Sequence, residues 1–398
     1  MRLDTALYEP LASGKPFFSD LLTELHQAKN TIYIHAFLWR NDTIGRLVAE
    51  AVLHAADRGV QVTITKDRIG AFFEYAEGNG QSFWHDTPKA DSWWSAHSTK
   101  TMLYQARLVA KLYGGPRVAV KANDLKEKLE AHPNITVQHE HKLYDHSKVV
   151  IIDEKVAYFG GVSIGDEFYA DSPPWIDLML KTANPAEVAK IAESTERNNT
   201  DLHQELVAFI DGAKESLTIV MSFMGHPDFV TALSRALKRG VSVTFITAAA
   251  AHSNRYRNLH FLKRLLRTAR GHRENLRLEM IDTMVHGKYL LRDGTDIRIG
   301  SQNMVMDSSV VHETTLNLAD PGLYRAILAA TEEQLNTTTK TSYSAGQFYN
   351  FHRAHPWYHI ILPSRLEWLA AKIQTIIVWI RREKIEAARK QTNEKPRG

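Results

Sequence analysis

The sequence predicts an α/β fold made of two related lobes, each with a mixed sheet flanked by helices, and an active site on a pseudo-twofold axis between them. Residues 28–34 and 213–219 share the pattern of a helix end that runs into a strand. Residues 58–63 and 239–244 share an Arg-Gly-Val turn that runs into a second strand. A His-x-Lys tripeptide also occurs once in each half. A duplicated unit accounts for all three observations.

Each half begins with a strand, a helix, a glycine turn and a second strand, and the strands with the tripeptide come later. The helix of the first half has apolar residues at helical spacing, as at Leu47, Ala51 and Ala55, and Gly59 ends it. Strands that alternate with helices favour α/β lobes with the site between them.

The 398 residues are enough for two domains that each bury a core. We expect the first lobe at residues 1–190, with an aromatic insertion at about 72–116. The second lobe is expected at residues 191–345, and a basic amphipathic tail at residues 346–398.

Composition limits the class of protein. The net charge of +4 is too modest to indicate nucleic acid as a partner, and the absence of cysteine excludes disulfides and thiol chemistry. Residues 1–4 show no apolar core with a cleavage site, so no signal peptide is expected. The protein is expected in the cytosol or on the membrane face that borders it.

Each tripeptide is followed by an apolar run, an aspartate and a turn of small residues. The members of the two copies are His146, Lys148, Asp153 and Ser163 in the first, and His286, Lys288, Asp293 and Asn303 in the second. A lone His-x-Lys usually marks a surface strand edge, but two copies with matching downstream turns make coincidence a poor explanation.

These residue types at this spacing suit phosphoryl transfer. Side chains two apart on a strand share a face, so His146 and Lys148 should point into one cleft, as should His286 and Lys288. One neutral imidazole can attack phosphorus to form a phosphohistidine, while the second gives a proton to the departing oxygen. The ammonium groups would meet the phosphoryl oxygens. The scheme requires neither a metal ion nor a cofactor.

The pattern resembles that of the phospholipase D superfamily, whose signature is His-x-Lys, four residues, Asp, and then Gly-Gly or Gly-Ser with Asn. The resemblance covers most of the chain, and the segments around the motifs are most similar to bacterial cardiolipin synthases, especially shorter ones without transmembrane helices. It implies phosphodiester chemistry on phospholipid headgroups. We expect phosphatidylglycerol as a substrate, and no nucleic acid as a partner, because the aromatic insertion and the amphipathic tail favour lipid. From the amphipathic tail and the lack of a signal peptide, we expect a peripheral place at the anionic surface of the bacterial cell membrane, on the cytoplasmic face.

The resemblance further implies two acids that orient the histidines. In the family a Trp-x-Asp follows the first motif and a Glu follows the second, and here Asp177 and Glu313 stand at those places. We expect Asp177 to pair with His146, and Glu313 to pair with His286. Ordinary salt bridges are the alternative.

Four motif positions are expected outside the proton-transfer steps. Asp153 and Asp293 open turns after the apolar runs, so a structural role fits them. Ser163 and Asn303 are expected at the phosphate. The family has Asn at both places, and Ser163 replaces the amide with a shorter hydroxyl.

Three segments lie outside the repeat. The aromatic insertion could line an acyl groove or form a packed loop. The arginines of residues 251–277 could contact anions, or form the solvated side of a helix whose apolar face includes Leu259 and Leu262. The apolar residues of the tail from Leu366 onward follow helical spacing. This helix could lie on an anionic membrane surface or pack on the protein's own core.

These observations favour a phosphatidyltransferase of the cardiolipin synthase type, which moves a phosphatidyl group between phospholipids through a phosphohistidine. His146 is the expected nucleophile and His286 the acid and base, an order that family habit suggests and that motif symmetry does not decide. The alternatives are a phospholipase D hydrolase that releases phosphatidic acid, a nuclease of the same superfamily and a non-enzymatic scaffold. The acceptor alcohol, acyl preference and oligomeric state stay open.

Overall fold

The structure is a computed structural model. It describes residues 7–67, 70, 74, 83–84, 123–139, 145–169, 174–196, 201–249, 254–305, 312–366 and 369. Most of the aromatic insertion and nearly all of the tail beyond residue 366 lie outside the described residues. Phe83 and Trp84, from the insertion, are buried against Trp39.

The first lobe is built on a seven-stranded mixed sheet. Its strands are β1 (Glu9–Ala12), β2 (Thr31–Ala36), β3 (Gln61–Lys66), β4 (Ile135–His139), β5 (Val149–Ile152), β6 (Val156–Gly160) and β7 (Leu178–Thr182). They lie in the order β1-β7-β6-β5-β2-β3-β4. Strands β2, β3 and β4 are parallel, and β5, β6 and β7 continue from β2 as an antiparallel meander. Among the described residues, the helices of this lobe include α1 (Lys15–Gln27), α2 (Thr43–Asp57), α3 (Asp124–Ala131) and α4 (Pro185–Glu196).

The second lobe repeats this plan. Its strands are β8 (Ser216–Met221), β9 (Ser242–Ala248), β10 (Leu276–Ile281), β11 (Lys288–Arg292), β12 (Asp296–Gly300), β13 (Thr315–Ala319) and β14 (Lys340–Ser344). They lie in the order β13-β12-β11-β8-β9-β10-β14. Its helices in the described part of the chain include α5 (Leu202–Asp211), α6 (Pro227–Lys238), α7 (Arg255–Thr268), α8 (Pro321–Leu335) and α9 (Phe348–Ala354). Strands β8 to β13 match β2 to β7 in order and direction, which confirms the predicted pair of related α/β lobes.

Local chemistry explains the repeated helix and turn. Asp42 caps α2, because its side chain accepts a hydrogen bond from the backbone N–H of Gly45. Gly59 after α2 and Gly240 after α6 have φ angles of 96° and 89°. A side chain would be strained in this left-handed region, so glycine is required where each helix turns back into the sheet.

Three apolar clusters form among the residues that the structure describes. One lies between the first sheet and α1 and α2, and a second lies between the second sheet and α6 and α7. The third lies between the two sheets, where Phe159 and Leu180 of the first lobe join Val220 and Leu291 of the second. Each large side chain buried there contributes about 1.5–3 kcal/mol of transfer free energy, so the sheets are held face to face.

Helices α4 and α7 cover two further segments that the sequence analysis considered. Helix α4 spans residue 190, and Val188 and Ile191 join the cluster between the sheets. In α7, Leu259, Leu262 and Leu265 are buried, as the apolar spacing predicts. Within the part of the chain that the structure describes, no helix is both long enough and apolar enough to span a bilayer.

Candidate active site

The first residue of each motif makes a backbone hydrogen bond to the other lobe. The N–H of His146 donates to the carbonyl of His312, and the N–H of His286 donates to the carbonyl of Ile176, both at 2.8 Å. Isolated parallel bridges pair Asp145 with His312, and Ile176 with Val285. Each motif is therefore positioned by the segment that follows the other motif.

This exchange decides which acid holds which histidine. Nδ1 of His146 lies 3.0 Å from Oε2 of Glu313, and Nδ1 of His286 lies 2.7 Å from Oδ2 of Asp177. The expected pairing, Asp177 with His146 and Glu313 with His286, was wrong. Asp177 follows Ile176, whose carbonyl binds the backbone of His286, so its carboxylate belongs to the histidine of the opposite lobe.

Six side chains expected to be catalytic meet between the lobes, and all are buried. They are His146, Lys148, Asp177, His286, Lys288 and Glu313. The pairing with acids also fixes the tautomers. Nδ1 of His146 lies 3.0 Å from the carbonyl oxygen of Ser301, which only accepts, so Nδ1 carries the proton. The carboxylate beside Nδ1 of His286 gives the same result. In both rings Nε2 is therefore the basic nitrogen.

The buried groups shift one another's pKa. Burial lowers the pKa of both imidazoles, and nearby Lys148 and Lys288 lower it further. The pKa of His286 falls to about 3. Burial also lowers the pKa of Lys148 to about 7 and that of Lys288 to about 8. Burial raises the pKa of Glu313 to about 8. At neutral pH both imidazoles are therefore uncharged, which is the form that can attack phosphorus.

Aromatic rings and backbone oxygens hold these groups in place. Phe37 meets the imidazole of His146 edge-on, with ring centroids 4.6 Å apart, and Phe168 meets that of His286 at 5.0 Å. The Nζ atom of Lys148 donates to the carbonyl of His146 at 2.6 Å, and Lys288 donates to the carbonyl of His286 in the same way. Sequence reasoning missed both phenylalanines, because neither belongs to the repeated pattern.

A second layer of buried charge lies beside the first motif. The carboxylate of Asp145 is 3.4 Å from Nε2 of His35 and 3.0 Å from Nδ1 of His312. It also accepts the backbone N–H of Ser147 at 3.0 Å. Burial raises the pKa of Asp145, but the hydrogen bond to His312 and the charges of His35 and His312 outweigh burial, so the pKa is lowered. Sequence reasoning missed this cluster, although the adjacency of Asp145 to His146 was a signal.

Asp153 and Asp293 lie away from the cleft, in matching places. The carboxylate of Asp153 accepts the backbone N–H groups of Lys29, Asn30 and Thr31. That of Asp293 accepts the N–H groups of residues 214–216, each at 2.9 Å. Each aspartate therefore ties the turn after its motif strand to the start of a neighbouring strand.

Ser163 and Asn303 are buried at the ends of the small-residue turns. Within the described part of the chain, Oγ of Ser163 and Oδ1 of Asn303 have no hydrogen-bond partner. Buried polar atoms without a partner are costly and uncommon in folded proteins.

Comparison with known proteins gives sequence matches to part of this chain. Residues 206–335 match the family model described as cardiolipin synthase, PLD-like domain. Cardiolipin synthase A of Pseudomonas putida strain F1 is 23% identical over 178 residues, which is 44% of this chain and 29% of that protein. Cardiolipin synthase 1 of Bacillus cereus is 24% identical over 185 residues, 44% of this chain and 28% of that protein. The match thus spans less than a third of these relatives.

One solved structure is similar over nearly the whole chain. The crystal structure of phosphatidylserine synthase from Haemophilus influenzae Rd KW20 superposes with a TM-score of 0.62 and 13% identity, and the match covers 97% of this chain and 95% of that one. At this identity the likeness establishes the fold. The resemblance to the phospholipase D superfamily rests on the sequence matches, in which residues 206–335 fit the model of a phospholipase D-like domain, and the solved structure supports the fold.

Proposed function

We propose that this chain is a phosphatidyltransferase of the cardiolipin synthase type, which moves a phosphatidyl group from one phospholipid to another. The observation that carries the proposal is the crossed pair of contacts, Glu313 with His146 and Asp177 with His286. Each contact leaves Nε2 as the basic nitrogen of an imidazole beside a lysine and holds an acid at the other ring nitrogen.

In the first step a phosphodiester enters between the lobes and brings a negative charge. This charge raises the pKa of nearby lysines and imidazoles, so that Lys148 and Lys288 meet the phosphoryl oxygens as cations. Nε2 of His146 attacks phosphorus as the bond from phosphorus to the headgroup oxygen breaks. His286, protonated at this stage, gives its Nε2 proton to the departing alkoxide.

In the second step an acceptor alcohol takes the place of the departed headgroup. His286 removes the hydroxyl proton, the alcohol oxygen attacks phosphorus, and the bond from phosphorus to Nε2 of His146 breaks. The product is a new phosphodiester, and both histidines return to their starting state. With water in place of the alcohol, the same step releases phosphatidic acid.

The unequal acids favour His146 as the nucleophile. Burial raises the pKa of Glu313 to about 8, so this acid carries a proton for much of the time at neutral pH. An imidazole beside a neutral acid is itself favoured in the neutral, nucleophilic form. The 2.7 Å contact of Asp177 with His286 suits the histidine that must hold a proton before giving it away.

The first test is lipid mass spectrometry after incubation of the purified protein with phosphatidylglycerol micelles and EDTA, beside a His146→Ala variant. We expect cardiolipin and glycerol from the unchanged protein and neither from the variant. Phosphatidic acid without cardiolipin would indicate that the protein catalyses hydrolysis and not transfer. A product that persists in His146→Ala would contradict the proposed nucleophile.

We also propose that the protein works at the surface of a membrane as a peripheral protein. Residues 357–366 are helical, and Trp357, Tyr358, Leu362 and Leu366 on this helix are each more than half exposed. Aromatic and leucine side chains that face water are suited to the boundary between headgroups and acyl chains. Replacement of Trp357 and Leu362 by serine should reduce sedimentation with phosphatidylglycerol liposomes, and unchanged sedimentation would remove this helix from the interface.

A further inference from the structure

A cluster of metal-ligating side chains lies on the second lobe, outside the paired motifs. His203 is in the first turn of α5, His226 is the N-cap of α6, and Asp228 is in the first turn of α6. One possible ligand atom from each of the three lies within 4.8 Å of the others. We propose that these side chains form a binding site for a transition-metal ion, with Zn²⁺ as the best match.

Two separations of the donor atoms are close to those that a tetrahedral ion requires. Nε2 of His203 lies 3.1 Å from Oδ2 of Asp228, and Nδ1 of His226 lies 3.6 Å from the same oxygen. Zinc bonds of about 2.0–2.2 Å at tetrahedral angles place neighbouring ligand atoms about 3.3–3.6 Å apart. Small side-chain rotations would therefore bring all three donors onto one ion.

The donor set selects the class of metal. Two imidazoles and one carboxylate suit Zn²⁺ and its neighbours among the transition metals, whereas Mg²⁺ and Ca²⁺ prefer sites made of oxygen. The side chains of His203 and His226 are each 20% exposed and that of Asp228 is 58% exposed. Solvent can thus reach the cluster, and water can complete the coordination.

The surroundings already orient the two imidazoles. Their ring centroids lie 4.4 Å apart, and both rings pack against Phe229, at 4.8 Å for His203 and 5.8 Å for His226. Nδ1 of His226 accepts the backbone N–H of Asp228 at 3.2 Å, a bond that an ion would replace. The start of a helix disfavours a cation, so the charge of Asp228 must offset this effect.

The site would brace the second motif. Nη2 of Arg298 donates hydrogen bonds to the backbone carbonyl of Leu202, which precedes His203, and to Oε1 of Gln302. The backbone N–H of His226 donates to the carbonyl of Met304. An ion held by α5 and α6 would therefore cross-link the two helices that flank the turn of Asn303. This inference does not depend on the reaction proposed above.

The test is calorimetric titration of the full chain with Zn²⁺, after treatment with EDTA and buffer exchange, with Mg²⁺ as the comparison ion. We expect one Zn²⁺ equivalent that His203→Ala and Asp228→Asn each weaken at least tenfold. Zn²⁺ should raise the melting temperature of the unchanged protein more than that of either variant, because binding to the folded state stabilises it. Mg²⁺ should do neither.

The first lobe offers a matched control. His132 and His54 also approach one carboxylate, that of Asp57, but at 3.3 and 3.9 Å and on different oxygens, so their donors do not converge. His132→Ala should leave the Zn²⁺ equivalent unchanged. Equal Zn²⁺ binding by His203→Ala, Asp228→Asn and the unchanged protein would overturn the proposal, as would the absence of saturable binding. If His203→Ala does not fold, Asp228→Asn alone decides the outcome, because it keeps the side-chain shape.

Discussion

The two lobes share one backbone plan but differ in what lies beside their motifs. His35 on β2 and Val220 on β8 occupy equivalent positions. His35 pairs with Val149, which follows Lys148, and Val220 pairs with Tyr289, which follows Lys288. The first motif is flanked by the charged cluster of His35, Asp145 and His312. The matching places beside the second motif are Val220, Val285 and Ile176, all apolar and buried.

This difference teaches that a duplicated site need not be a symmetric one. A buried ion cluster costs desolvation free energy that only good mutual contacts offset, whereas buried valines stabilise without any partner. The charged cluster gives the first half-site an electrostatic field that the second lacks. Two identical His-x-Lys edges can therefore take unequal parts in one reaction.

The largest expected effect separates the two histidines. With a phosphatidyl ester of p-nitrophenol, whose leaving group needs no proton, His286→Ala should still release one equivalent of nitrophenol, while His146→Ala should release none. With phosphatidylglycerol both variants should lose at least 10²–10⁴-fold in rate, because general acid and base catalysis is worth that much. Absorbance in a rapid burst measures the first step. A burst from His146→Ala alone would reverse the assignment.

The next effect concerns the charged cluster. Asp145→Ala leaves His35 and His312 without their shared carboxylate and should lower the free energy of unfolding by about 3–5 kcal/mol at pH 7. Val285→Ala, its counterpart, should cost about 1–2 kcal/mol for the lost apolar burial. Urea denaturation of both variants measures the difference. Equal losses would mean that the cluster adds nothing beyond packing.

The same cluster predicts how stability depends on pH. The pKa of Asp145 is lower in the folded chain than in the unfolded chain, so its contribution is present above the unfolded pKa of about 3.9. That contribution is lost as the pH falls through the folded pKa. Asp145→Asn should therefore flatten the stability curve below about pH 4, measured by urea midpoints from about pH 5 to about pH 2. Val285→Ala should shift the curve without changing its shape.

A smaller effect should come from Lys148, because burial disfavours its charged form. The folded pKa of Lys148, about 7, lies below its ordinary value, so folding releases protons and stability should rise with pH between about 7 and 10. Lys148→Met removes this cost and should leave the free energy of unfolding at pH 7 unchanged or raise it by up to about 2 kcal/mol, while transfer is lost. Thermal unfolding and the lipid assay measure the two results. A clear loss of stability would show that the ammonium is net stabilising.

The smallest contrast should lie between the symmetric aspartates. Asp153→Ala and Asp293→Ala each remove an acceptor of three backbone N–H groups at an exposed turn, and each should cost about 1–2 kcal/mol. Because the contacts match, the two losses should agree within about 0.5 kcal/mol in urea denaturation. A large inequality would place one of these turns nearer the reaction than its geometry indicates.

The sequence by itself determined the duplicated α/β plan and the meeting of two His-x-Lys edges. These follow from local periodicity, from glycine at left-handed positions such as Gly59, and from repetition, all of which act over short stretches of chain. The burial of Leu259 and Leu262 in α7 was predicted for the same reason.

Only the tertiary structure decided how the half-sites are completed. Glu313 reaches His146 across 167 positions and Asp177 reaches His286 across 109. The backbone contacts that select these pairs run between lobes, and sequence order alone favoured pairing within each motif. The cluster around Asp145 likewise forms only where β2, the first motif and the segment after the second motif meet. Contacts between distant segments depend on how the two sheets pack, and no local pattern in the chain encodes that packing.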